Sequence, residues 1–276
     1  MEYLILVIIF IFGLGVGSFL NVVILRLPEQ RSIARGRSQC PACGRILAWY
    51  ELIPLASFFA LRARCKSCKA PISWQYPIVE FVTGVLFVVT WYVHAYSGMT
   101  SSQFPISNFQ FPNFYFITQL LSYLFYISVL LVIFVQDFRW GVILDRVTVP
   151  AIVLTLVFQL LLSPTIVPLT TLGLGMLIGG GFFALQYVLS RGRWIGGGDI
   201  RLGALMGAML GWQLVIVALM LAYVGGAVIA LPLLIFRIKH LGDALPFGIF
   251  LVPATIITLF YGEAIMRWYF NLVYIV

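Results

Sequence analysis

Long apolar runs separated by short polar stretches decide what this chain can fold into. A helix that crosses a bilayer takes about 20 apolar residues. Residues 3–25, 77–96, 114–136, 169–189 and 214–236 each supply such a run, and another begins at 247. Two shorter runs, residues 149–162 and the stretch from Asp199 to near Trp212, bring the set to eight. With 62% hydrophobic and 9% charged residues and a mean hydropathy of +1.05, the composition excludes an ordinary soluble domain. The predicted fold is all-α and polytopic, with about eight transmembrane helices.

The net charge of +8 would suit a nucleic-acid partner in a soluble protein, but in a membrane protein the position of the charges carries the information. Arg26, Arg31, Arg35, Arg37, Arg45, Arg62, Arg64, Lys66 and Lys69 all fall between the first two runs. The positive-inside rule therefore puts residues 26–76 in the cytoplasm. Only Met1 and Glu2 precede the first run and arginines follow it, so it reads as an uncleaved anchor with its N-terminus outside rather than as a signal peptide. Continued across eight spans, this assignment places every lysine and arginine except Arg267 on the cytoplasmic side and the C-terminus outside. Membrane lipid is the expected surrounding, and no nucleic acid is expected. Three parts follow: an anchor (1–25), a cytoplasmic domain (26–76) and a seven-helix membrane domain (77–276).

The cytoplasmic stretch holds all four cysteines, Cys40, Cys43, Cys65 and Cys68, as two C-x-x-C pairs. Paired knuckles supply four thiolates at tetrahedral spacing, and Gly44 allows the tight turn after the first pair. Two disulfides are the competing arrangement, and they need an oxidising compartment that a cytoplasmic location denies. Zinc in a small zinc-ribbon-like domain is the expectation, and a redox C-x-x-C the minor alternative. A domain of this size has little core of its own, so a metal staple makes physical sense. Trp49, Leu52, Ile53, Leu55, Phe58 and Phe59 offer that core or a membrane-facing surface.

Inside the apolar runs, ionisable groups are the exceptions, and they are costly there unless used. Asp199 follows Gly196, Gly197 and Gly198, and Asp199, Gly203, Gly207 and Gly211 recur every four residues on one helix face. Such small-xxx-small spacing favours close helix packing in a membrane. Gly13 with Gly17 and Gly175 with Gly179 repeat the pattern, while Asn21 suits an interhelical hydrogen bond. Asp137 ends the third run, where a helix macrodipole disfavours negative charge, and Asp145 suits a helix cap ahead of Pro150. The topology puts Asp137 and Asp199 on one membrane face, where two carboxylates sharing a proton can work as acid and base against a peptide bond. Helix polarity assigns the base to Asp199, at a helix start, and the acid to Asp137, at a helix end.

Taken together, the motifs resemble those of the type IV prepilin peptidases, a family of intramembrane aspartyl proteases marked by G-x-G-D. The resemblance is carried by G-S-F-L-N-V-V-I-L-R-L-P (17–28), C-P-A-C, C-K-S-C, I-S-W-Q-Y-P-I-V-E (72–80), Asp137 with Asp145, G-G-G-D-I-R-L-G and L-P-F-G (245–248). It implies removal of a leader peptide from type IV prepilins or pseudopilins at the cytoplasmic face of a bacterial inner membrane. It also implies methylation of the new N-terminus with S-adenosylmethionine. It carries the catalytic aspartates onto Asp137 and Asp199 and the zinc ligands onto the four cysteines. This chain departs from the family pattern at Gln136 and Leu144. Residues 26–76 contain no Gly-rich nucleotide loop, so a methyl-donor pocket would involve the membrane interface, with Glu80 a candidate member. The rivals are a non-enzymatic membrane scaffold with a zinc-ribbon interaction domain, which leaves the two aspartates without a role, and a peptidase lacking the methyltransferase.

Overall fold

A computed structural model describes residues 2–100, 114–162, 169–236 and 246–274. The chain forms two compact units, Met1–Phe111 and Pro112–Val276. The described residues are helical apart from turns and two isolated β-bridges. The expected turn at 163–168 lies outside them, as do most of the expected exterior loop and the 237–245 part of the last inner loop.

In the first unit, α1 (Glu2–Arg26) and α3 (Gln75–Thr100) pack antiparallel, and small residues set the distance between them. A Cβ at Gly13 would come within 2.7 Å of the Gly84 Cα, and one at Gly17 within 2.7 Å of the Glu80 Cα. One turn further, Asn21 Nδ2 donates to the Tyr76 carbonyl at 3.1 Å, the interhelical bond expected of it. Between these helices lie a 3₁₀ turn (Trp49–Leu52) and the short α2 (Ala56–Ala60). Arg26 closes the exit from α1 by donating to the carbonyls of Ser32 and Arg35 at 3.0 and 2.9 Å.

The second unit contains α4 (Phe114–Trp140), α5 (Asp145–Val157) with a π-helical turn (Phe158–Leu162), α6 (Leu169–Ser190), α7 (Gly197–Ile235) and α8 (Gly248–Tyr274). The expected glycine stripe packs α6 against the start of α7. Gly203 meets the Gly179 backbone and Gly207 meets that of Gly175, so closely that no side chain fits at either contact.

Gly211 behaves differently from the helical stripe position expected for it. It has φ 74° and ψ 176°, which breaks α7 in two. Its departure from helical geometry releases carbonyls of the preceding turn, and Gln159 Nε2 donates to one of them, Met209 O, at 3.4 Å. Residues 212–235 then run antiparallel to α8. Leu214 packs near Gly262, and Gly226 near Phe250. The chain therefore turns back at Gly211, and Tyr223 on the returning half lies within electrostatic range of Asp199 on the outgoing half.

Among the described residues, six helices are long and apolar enough to cross a membrane. One of these, α7, contains two of the eight expected spans, joined at Gly211. The remaining expected span, 149–162, is α5 with its π turn. It starts earlier, at Asp145, and is too short to count among the six.

Candidate active site and metal centre

The two cysteine knuckles are copies of one local structure, 25 residues apart. In the first, Cys40 N–H donates to Arg45 O, Gly44 N–H to Cys40 O and Leu47 N–H to Ser38 O. In the second, Cys65 N–H donates to Ala70 O, Lys69 N–H to Cys65 O and Ile72 N–H to Ala63 O. Each hairpin carries one antiparallel bridge, Gln39 to Ile46 and Arg64 to Pro71. The residue after each second cysteine is left-handed, Gly44 at φ 70° and Lys69 at φ 59°. Glycine adopts that conformation freely, whereas lysine holds it at a cost.

The knuckles bring all four sulfurs within 4.8 Å of one another, with Cys40 and Cys68 3.8 Å apart. Four thiolates about 2.3 Å from a zinc ion sit about 3.8 Å apart in a tetrahedron, so the donor set and its spacing fit a structural metal. Backbone N–H groups prepare the thiolates. Those of Cys68 and Ser67 bring the Cys65 thiol down to about 6, and those of Cys43 and Ala42 lower Cys40. Cys68 goes up to about 11: the Ala70 N–H pulls it down, but burial and the other sulfurs outweigh that pull. Ligation of a dication would require all four thiols to give up their protons. Beside the cluster, Glu51 accepts from Arg45 at 2.6 Å and from the Ala48 N–H at 2.9 Å, which holds its carboxyl below the usual range.

Glu80 is buried on α3, at the level where Gly17 lets α1 approach. Its Oε2 accepts the Leu55 N–H at 2.8 Å, and the Ser18 hydroxyl faces the same carboxylate. Leu55 sits at φ 57° ahead of α2, so this bond pins a strained turn of the Cys domain to the helix pair.

In the second unit, Asp137 and Asp199 are both buried and lie within electrostatic range of each other. Asp199 is in the first turn of α7, and its Oδ2 accepts the Gly196 N–H at 3.1 Å. Gly198 carries no side chain because a Cβ there would meet Ile143 Cβ at 2.8 Å; the bare backbone seats the start of α7 on the segment after α4.

Asp137 is near the end of α4, but it also faces the N–H groups of Gly248 and Ile249 at the start of α8. Both carboxylates therefore meet helix N-termini. Helix polarity alone does not divide acid from base between them, as the sequence had suggested, because α4 is not the only helix end acting on Asp137. Asp145 is likewise not the cap of α5: Leu144 holds that position, and the Asp145 carboxylate pairs with Arg201 on α7.

Sequence reasoning gave no individual role to Gly248. A Cβ there would stand 2.6 Å from Asp137 Oδ2. The signals for it were its place in the L-P-F-G motif and at the opening of an apolar run, two residues after Pro246.

The bacterial peptidase A24 N-terminal domain model matches residues 11–94, and the type IV leader peptidase family model matches residues 124–231. Three similar curated proteins are each named prepilin leader peptidase/N-methyltransferase. The one from Myxococcus xanthus is 36% identical over 234 residues, 83% of this chain, but the chain spans only 63% of that protein's length. Those from Aeromonas salmonicida and Bacillus subtilis are 31% and 32% identical, and the chain covers 93% and 98% of their lengths. No solved structure matches the chain. With both family models in register with the Cys domain and the aspartate-bearing helices, and near-full-length relatives above 30% identity, the chain belongs to the type IV leader peptidase family.

Proposed function

We propose that the protein is a membrane aspartic endopeptidase that removes the leader of type IV prepilins or pseudopilins and then N-methylates the mature end. The observation that supports the peptidase is that Asp137 and Asp199, on different helices, are both buried and within electrostatic range of each other. With one proton shared between them, the ionised carboxylate takes a proton from water as its oxygen bonds to the scissile carbonyl carbon, and the protonated one donates to the carbonyl oxygen. Collapse of the tetrahedral species breaks the C–N bond. As it does, a hydroxyl of that species returns its proton to the carboxylate that had donated, and the amine takes the proton drawn from water, so the pair returns to its starting state.

The substrate's apolar helix is taken to lie among the spans, with its basic leader in the cytoplasm. This follows the positive-inside orientation, with the Cys domain and both aspartates on the cytoplasmic side of the inner membrane and both termini outside.

Cys40, Cys43, Cys65 and Cys68 are the proposed zinc ligands, and the metal's role is to hold the knuckles together. The methyl donor of the proposed second activity is S-adenosylmethionine, whose sulfonium supplies an electrophilic methyl group. The first unit offers chemistry suited to a cationic ligand, with the exposed rings of Trp49, Tyr50 and Trp74 and the buried carboxylate of Glu80. Glu80, whose Oε2 accepts the Leu55 N–H at 2.8 Å, is the proposed member of a methyl-donor site there. The membrane-scaffold alternative gains nothing from the paired aspartates.

The test is to incubate the purified full-length protein with a candidate prepilin, with and without S-adenosylmethionine, and to weigh the products. Leader loss in both arms and an added methyl group only with the donor are expected. Uncleaved substrate in both arms rejects the peptidase, and cleavage without added mass rejects the methyltransferase.

A further inference from the structure

Gln136 precedes Asp137 on α4, and only 1% of it is exposed. Neither its Oε1 nor its Nε2 has a hydrogen-bond partner. Burying an amide with nothing to bond costs more than burying an apolar side chain of the same shape.

Tyr126 Oη and Thr155 Oγ1 are single polar atoms left in the same state, but several other buried polar residues of this unit avoid that cost locally. Thr148 donates to Leu144 O, Thr255 to Leu251 O and Thr258 to Ala254 O, while Gln159 reaches the carbonyl freed at the Gly211 break. Gln136 keeps its whole amide unpaired in the same helical turn as an Asp137 oxygen, Oδ2, that also has no partner. At 1% exposure it does not face lipid or bulk water.

An amide presents a donor and an acceptor side by side, the complement of the N–H and C=O of one residue in extended chain, which point to the same side. A peptide bond open to cleavage belongs to extended chain, whose N–H and C=O lack the internal partners a helix would give them. We infer that Gln136 binds the substrate backbone, pairing with the N–H and C=O of one residue next to the scissile bond. This rests on the peptidase reading above. The unpaired amide of the free enzyme is then the empty half of a substrate contact.

The test compares the wild type with Gln136→Met, which keeps the length of the side chain and removes its polar atoms. Thermal midpoint, kcat and KM are measured on a cleavable prepilin peptide. The same kinetics are run on a series in which each peptide group flanking the scissile bond is replaced in turn by an ester. Gln136→Met is expected to melt at the wild-type temperature or above it, and to lose about tenfold in kcat/KM, mostly through KM. One ester should slow the wild type by a similar factor and leave Gln136→Met unaffected.

Wild-type kcat/KM in Gln136→Met overturns the inference, as does a lowered melting point or an ester series in which every substitution acts equally on both enzymes. Cleavage by the wild type in those cases leaves the peptidase reading standing. Its absence rejects that reading instead.

Discussion

Replacing Gly248 by alanine probes the catalytic geometry with one carbon atom. The added Cβ would lie 2.6 Å from Asp137 Oδ2 and 3.0 Å from its Cγ, whereas ordinary contact begins at 3.4 Å. The carboxylate must therefore withdraw by roughly 0.8 Å, and misplacement near 1 Å costs about 100-fold in rate, or about 2.7 kcal/mol of barrier. Little of that cost should appear as instability. The clashing atom is the end of a side chain, and Oδ2 has no hydrogen bond to lose. Gly225→Ala is the matched control, since a Cβ there meets nothing within 4 Å. The assay is single-turnover cleavage of a prepilin with enzyme in excess, in nanodiscs, alongside thermal melts. A Gly248→Ala rate within twofold of wild type would refute the claim that this glycine exists to make room for the Asp137 carboxylate.

Other perturbations test the rest of the molecule. Gly17→Val should lower the melting point of the first unit by several degrees, because its side chain would run into α3 at Glu80, while Gly15→Val, which faces open space, should not; equal melts would reject close packing of α1 on α3. Cys65→Ser should abolish the stoichiometric zinc measured by elemental analysis of the purified protein, and undiminished zinc would show that the four sulfurs are not its ligands. Glu51 is held below the usual carboxylate range by Arg45 and the Ala48 N–H, so its stabilising contribution is full above about pH 4.3 and lost as pH falls through its folded value. Glu51→Gln should therefore melt lower than wild type at pH 7, with the gap closing on acidification below about pH 4; parallel melting curves would contradict the sign. Glu80→Gln should retain leader cleavage and lose methylation, and unchanged methylation would remove Glu80 from the methyl-donor pocket.

Much of this was legible in the chain because a bilayer leaves few choices. Apolar run length located the helices, and spacing by four exposed the Gly203 and Gly207 contacts with α6. C-x-x-C spacing brought out the metal cluster, down to the glycine after Cys43. What failed to show were effects that depend on distant parts of the chain. Gly211 looks like a fourth member of its stripe, and only the return of residues 212–235 along α8 reveals it as the turn. The end of α4 implied a field that disfavours charge on Asp137, but α8 brings a second helix end to the same carboxylate from more than a hundred residues away. Asp145 resembled a cap because its partner, Arg201, is on another helix. Gln136 stood out in the chain only as a departure from the family pattern, since burial without a partner is a property of three-dimensional packing.

The central claim is that Asp137 and Asp199 act as one catalytic unit. Single-turnover leader cleavage by Asp137→Asn, Asp199→Asn and the double variant, each with a wild-type melting point, tests it most directly. The account predicts that each single substitution removes at least about 1,000-fold of the rate and that the double variant is no worse than either, as expected of residues that share one proton. Cleavage near the wild-type rate by either single variant, or losses that multiply in the double, would contradict it.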